Sequence, residues 1–244
     1  MTLFIQNDKS ILFLHVPKCG GSSIAKLFED NGYSPVLEMR GLPPQDCLTA
    51  SPQHQTCRNL KSMINMERIR SIFIMARNPY GRIKSEFNWH FRSTPPEDRP
   101  DINQWTIESL AKAASNGDYS DNHFRACIDF IDEDLPCSIF KIEDGINFVV
   151  EGILRKDNSI ESISIPVEKN SKRFSSPIEK LQLNDSAIRA INQFYKYDFE
   201  AFGYTPIASQ DSESDTKPLL RHEKYNDCKD EAKAKTIRKW RMQT

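Results

Sequence analysis

Between Lys18 and Ser23 the chain gathers a cation, two adjacent glycines and two adjacent hydroxyls, in the run Lys18-Cys19-Gly20-Gly21-Ser22-Ser23. These residue types suit a phosphate or sulfate. Paired glycines let the backbone fold tightly around a ligand. A helix opening at the serines turns unpaired N–H groups and a positive dipole end toward an anion. A second pair able to grip an anion is Arg77 and Ser85, eight residues apart in RNPYGRIKS. For proton transfer near neutral pH the imidazole is the best-matched side chain, and histidines stand at 15, 54, 90, 123 and 222.

The elements that must position these groups follow from hydrophobic patterning. Ile11, Leu12, Phe13, Leu14 and Val16 form an apolar run of strand length that Pro17 stops, so the glycine loop joins a buried strand to a helix. Ser71 to Ala76, SIFIMA, is a second such strand. It leads through Arg77-Asn78-Pro79-Tyr80 into a helix whose first turn suits Pro79 and whose Ile83, Phe87 and Phe91 share a face. Arg77 thus sits at the carboxyl end of a strand, with Ser85 about two turns into the next helix. Strands are expected at 11–16, 71–76 and 138–142. Helices are expected near 22–31, 59–68, 79–92, 104–115, 143–154 and 185–201, the last ending at Gly203. Alternating strands and helices in a chain of 244 residues with 38% hydrophobic content predict a parallel α/β sheet flanked by helices, in one domain over 1–207. From 208 to 244 the composition turns polar and charged, which reads as a disordered or loosely helical tail.

A nucleotide triphosphatase loop places its lysine directly after the second glycine, whereas Lys18 precedes both glycines here. Pro17-Lys18-Cys19-Gly20-Gly21-Ser22-Ser23 instead resembles the 5'-phosphosulfate loop of sulfotransferases that use 3'-phosphoadenosine-5'-phosphosulfate (PAPS). RNPYGRIKS is similar to the element with which those enzymes hold the 3'-phosphate, through residues matching Arg77 and Ser85. Lys169-Asn170-Ser171 resembles a segment that completes the cofactor pocket, and Tyr195 to Tyr204 closes the domain as in many members. The resemblance implies a nucleotide-kinase-like fold and transfer of a sulfuryl group from PAPS to a hydroxyl without a metal. It also implies a carbohydrate or glycolipid acceptor. Two readings from other classes stay open: a homologue of the same fold that binds the nucleotide without catalysis, and a small-molecule kinase.

That chemistry needs a base for the acceptor hydroxyl, and Lys18 with the loop amides to stabilise the departing phosphate. His54, in SPQHQTCRNL between the two cofactor motifs, is the favoured base, because polysaccharide 2-O-sulfotransferases place a catalytic histidine in that interval. His123 is next, since Asn122-His123-Phe124-Arg125 resembles an element of related carbohydrate sulfotransferases, with Ala126-Cys127 in place of its Pro-Gln. Glu38 is a third candidate, as some members use a glutamate. His15 matches a residue of the site wall, and His90, five residues beyond Ser85, should face away.

A net charge of −1 gives no electrostatic case for nucleic acid, although Arg68, Arg70, Arg77, Arg82, Lys84 and Arg92 cluster around the cofactor motif. No apolar stretch approaches the length of a membrane span, and the reading is a cytoplasmic, bacterial-type soluble member. Six cysteines show no metal-ligand spacing. Cys127 with Cys137, or Cys47 with Cys57, could pair in an oxidising compartment, but reduced thiols are expected. Oligomeric state is not readable from the residues.

Overall fold

The computed structural model describes residues 1–38, 48–155 and 181–208. They fall into two compact units, which interleave along the chain. The first comprises Met1–Arg77, Asp121–His123 and the described residues from Asp129 to Arg155. The second comprises Asn78–Ser120, Phe124–Ile128 and 181–208. Lys169, Asn170, Ser171, Cys47, His222 and the tail from 209 onward lie outside the described residues.

A five-stranded sheet forms the first unit: β1 (Thr2–Gln6), β2 (Lys9–Leu14), β3 (Ser34–Val36), β4 (Ser71–Ala76) and β5 (Ser138–Lys141), in the order β3-β1-β2-β4-β5. β2, β4 and β5 run parallel, in the register Phe13 to Phe73 and Phe73 to Ser138. The expectation of a parallel sheet is corrected at one side, where β1 pairs antiparallel with both β2 and β3. A two-residue turn at Asn7-Asp8 joins β1 to β2, and only a hairpin can be closed so tightly. Asn7 takes the left-handed conformation there (φ 54°), which its short amide tolerates.

The helix α1 (Gly21–Asp30) turns Ile24, Ala25, Leu27 and Phe28 inward. Phe28 stacks on Phe4 of β1 at 4.2 Å and on Phe73 of β4 at 5.7 Å. Phe73 in turn stacks on Phe13 of β2 at 4.9 Å. Each such buried ring contributes roughly 1.5–3 kcal/mol through removal from water, so this aromatic stack fixes the strand ends from which the site loops depart. The helix expected over 59–68 is shorter. α2 spans Cys57–Lys61, capped by the Thr56 hydroxyl, and a separate 3-10 turn follows at Met66–Arg68, where Asn65 caps anew. α5 (Asn147–Val149) continues as a π-turn over Val150–Leu154. Gly152 is required in that turn, because a Cβ there would lie 2.7 Å from the Phe140 ring.

The second unit is helical: α3 (Pro79–His90), α4 (Ile102–Ser115), α6 (Asp185–Phe194) and α7 (Lys196–Phe202). The single helix expected over 185–201 breaks at Tyr195 (φ −101°, ψ 23°), whose buried hydroxyl donates to the Phe124 carbonyl at 2.8 Å. Arg82, read in sequence as part of a basic cluster around the cofactor, is only 1% exposed. It donates to the Arg125 carbonyl at 2.7 Å and lies over the Tyr195 ring. Asp198 accepts the amides of Cys127 and Ile128 at 2.8 and 3.0 Å, so the charges of α3 and α7 are spent on holding the segment 124–128 in this unit.

Candidate functional site

The glycine loop leaves β2 at Leu14 and enters α1 at Gly21. Lys18 (φ 64°) and Gly20 (φ 87°) both adopt left-handed backbone, and the turn is closed by Ser23 and Ile24 amides donating to the Gly20 carbonyl at 3.0 and 3.1 Å. No side chain caps the start of α1. Ser22 and Ser23 are exposed, Lys18 is half-buried, and Pro17 and Cys19 are buried. A Cβ at Gly21 would fall 1.7 Å from His15 Nε2, so the imidazole lies directly against that backbone. A helix start without a side-chain cap, with two exposed hydroxyls in its first turn, fits a phosphate or sulfate. Arg77, at the end of β4, donates from Nη1 to the Lys18 carbonyl at 3.0 Å and thereby braces the loop. That bond occupies one of its five N–H donors. Ser85 lies half-buried on α3 of the second unit.

His54 ends a 3-10 turn (Pro52–His54) and is 7% exposed. Its ring stands edge-on to that of His15 at 5.3 Å and to that of His123 at 5.1 Å. Through the stacking of His15 on Phe13, these imidazoles continue the aromatic core outward. The structure therefore brings His15, His54 and His123 together within the first unit. Glu38 lies half-buried after β3, where its carboxylate acts electrostatically on the Met1 amino group. His90 is exposed and packs on Phe91 and Trp105.

A residue that sequence reasoning did not single out joins the cluster. Asp121 Oδ2 lies 2.7 Å from His54 Nδ1, and its carboxylate also accepts the Ser51 amide at 2.5 Å and the Ser51 hydroxyl at 2.7 Å. The next residue, Asn122, donates its side-chain amide to the His54 carbonyl at 2.8 Å. Ser120, Asp121 and Asn122 have φ of 53°, 55° and 63°, three consecutive left-handed residues. Each non-glycine residue in that region costs roughly 1–2 kcal/mol, eased for Asp and Asn by their short polar side chains. The only sequence signal was an Asp-Asn pair just before a histidine, which tolerates this backbone better than other pairs.

Burial pulls His54 below its ordinary value of 6.5. The Asp121 hydrogen bond opposes that effect, while His123 adds to it, so the ring is neutral at neutral pH. Burial pushes the Asp121 carboxyl up, but hydrogen bonds from His54 and Ser51 together hold it below its ordinary value. A neutral imidazole tied at Nδ1 to a carboxylate carries its lone pair at Nε2 and can accept a proton there. His54, Asp121 and His123 also bring one potential metal ligand atom each within 4.8 Å of the others.

A model of the sulfotransferase family matches residues 1–147, more than half of the chain. The chain belongs to the sulfotransferase family. No curated protein and no solved structure matches it. The family match spans the glycine loop, His54, Arg77 and Asp121–His123, and it stops before Lys169-Asn170-Ser171. Family membership makes the chain a transferase of sulfuryl groups, and members generally take them from PAPS. Among the described residues no helix is long and apolar enough to cross a membrane. Cys19, Cys57, Cys127 and Cys137 are not disulfide-bonded.

Proposed function

We propose that this sulfotransferase moves the sulfuryl group of PAPS onto a hydroxyl of a carbohydrate or glycolipid acceptor, giving a sulfate ester and adenosine 3',5'-bisphosphate. The observation that carries the reading is the pairing of buried His54 with half-buried Asp121, joined through the His15 ring to the backbone of the glycine loop. PAPS supplies the activated sulfate. Lys18, Ser22, Ser23 and the first amides of α1 hold its 5' phosphosulfate, and Arg77 serves its 3'-phosphate. His54 Nε2 takes the acceptor proton as the oxygen attacks sulfur in line. The new oxygen–sulfur bond forms while the bond from sulfur to the phosphate oxygen breaks. Lys18 and the loop amides stabilise the charge that collects on the leaving phosphate, a contribution of the oxyanion-hole kind. The step uses no metal. A cytoplasmic setting is part of the proposal.

Calorimetric titration with adenosine 3',5'-bisphosphate, compared with magnesium-ATP, tests the donor without knowledge of the acceptor. Binding of the bisphosphate that is weakened about 10–100-fold in Arg77→Ala supports the reading. Preference for magnesium-ATP, or no binding of either, overturns it. Labelled PAPS offered with a panel of oligosaccharides then tests the acceptor class. His54→Ala should depress turnover on any acceptor found by about 10²–10⁴-fold, the usual contribution of a general base, with bisphosphate affinity kept.

A further inference from the structure

We propose that Asp121 is a positioning residue for the transfer step: it holds His54 as the Nδ1–H tautomer, aims Nε2 at the acceptor, and stabilises the imidazolium that forms when the proton arrives. The inference rests on the reading of His54 as the base, and it adds a residue that neither the loop motifs nor the family match assigns.

Three observations point the same way. The carboxylate is built in rather than adventitious: Ser51, fully buried, fixes Oδ1 with its amide and Oδ2 with its hydroxyl, and Oδ2 also lies 2.7 Å from Nδ1. The histidine is clamped from the same turn at a second point, because Asn122, 1% exposed, donates to the His54 carbonyl. Finally, the turn that delivers both contacts is made of three consecutive left-handed residues, a backbone that persists only when its surroundings over-determine it. A carboxylate that served only to cap the Ser51 amide would need neither the second clamp nor an oxygen turned to the ring. The groups facing His54 are Asp121, His15, His123 and the buried Met1 amino group. Asp121 is the one among them that can accept from Nδ1 and gain strength as the ring becomes charged.

Asp121→Asn is the discriminating variant. It keeps the shape and an oxygen for the Ser51 amide. Its NH₂ group can donate to Nδ1, which shifts the proton to Nε2 and removes the lone pair the reaction needs. The tautomer is read directly from imidazole nitrogen shifts in ¹⁵N-labelled full-length protein, independent of activity. Wild type should show the Nδ1–H form for His54 and the Asn variant the Nε2–H form. Its kcat should fall by roughly 10²–10⁴-fold at unchanged bisphosphate affinity and donor KM. Asp121→Glu should recover part of the loss, and Ser51→Ala, which frees one anchor while keeping the carboxylate, should cost less than either. An unchanged tautomer in Asp121→Asn overturns the positioning role. A changed tautomer with full turnover overturns the catalytic reading of His54 itself, an outcome that full turnover in His54→Ala would report separately. Should Asp121→Asn fail to fold, the wild-type spectrum carries the test, and an Nε2–H form of His54 there overturns the proposal.

Discussion

Arg77 shows how one side chain can serve both a ligand and a fold. Its guanidinium braces the Lys18 carbonyl, so its removal frees the loop as well as deleting a cation. Arg77→Ala is therefore expected to weaken adenosine 3',5'-bisphosphate by about 10–100-fold, the value of a charge-assisted hydrogen bond or two, as read by calorimetry. Lys18→Ala should act on turnover instead, lowering kcat by about 10²–10³-fold because its charge meets the leaving phosphate only as the bond breaks. Equal losses of affinity and turnover in the two variants would show that the residues are not separated in this way. At this scale the sequence was legible wherever the chemistry was local. The loop residues and Arg77 stand in continuous motifs beside strands that announce themselves. Asp121 was not legible as a partner of His54, because 67 residues separate them and no periodicity links a 3-10 turn to a left-handed turn.

Among the elements, β2 and β4 could be read from unbroken apolar runs, since strands buried on both faces need them, whereas β5, short and only half-buried, was read one residue too long. β1 was missed because Thr2–Gln6 is short and its polar ends blur the pattern. β3 was missed because Ser34–Val36 is a three-residue edge containing a proline, which an edge strand tolerates. The break at Tyr195 eluded periodicity for another reason. Ile188, Ile191, Phe199 and Phe202 keep helical spacing across it, while the Tyr195 hydroxyl is drawn to the Phe124 carbonyl. Asn184 accepts the Ala187 amide at the start of α6, and Asn184→Ala should cost about 1 kcal/mol in urea unfolding. A midpoint equal to that of wild type at unchanged slope would show that the cap contributes nothing.

For the whole molecule, the two units share the chain unevenly: Asp121–His123 belongs with the sheet although its flanking segments belong with the helices. Such interleaving is a long-range outcome of packing that no window of sequence displays. It also places several buried titratable groups in one unit, so stability should depend on pH from both sides. His54 is held below 6.5 chiefly by burial, so the unfolded chain binds the extra proton, and stability is lost as pH falls below that value. Burial, aided by Asp132 and opposed by Lys61, pushes the Cys57 thiol from 9.0 up to about 12. There the unfolded chain loses its proton first, and stability is lost as pH rises past 9.0. Burial likewise holds the Met1 amino group well below 8.0, so a urea midpoint highest between 8.0 and 9.0, with decline on both sides, is the expected profile. A midpoint that stays level down to pH 5 would remove the depressed histidine from the account.

The contact of His15 with Gly21 reaches beyond the site. Because the imidazole occupies the space of a missing Cβ, position 21 cannot change before position 15: Gly21→Ala drives a methyl into the ring, while trimming His15 opens a void under the loop. The two positions form a single evolutionary unit. A lineage that acquires a side chain at position 21 must first have given up the ring at 15, and with it the neighbour against which His54 stands. Across a set of homologues, substitutions at the two positions are expected on the same branches, and a homologue combining alanine at 21 with histidine at 15 should show a displaced helix start.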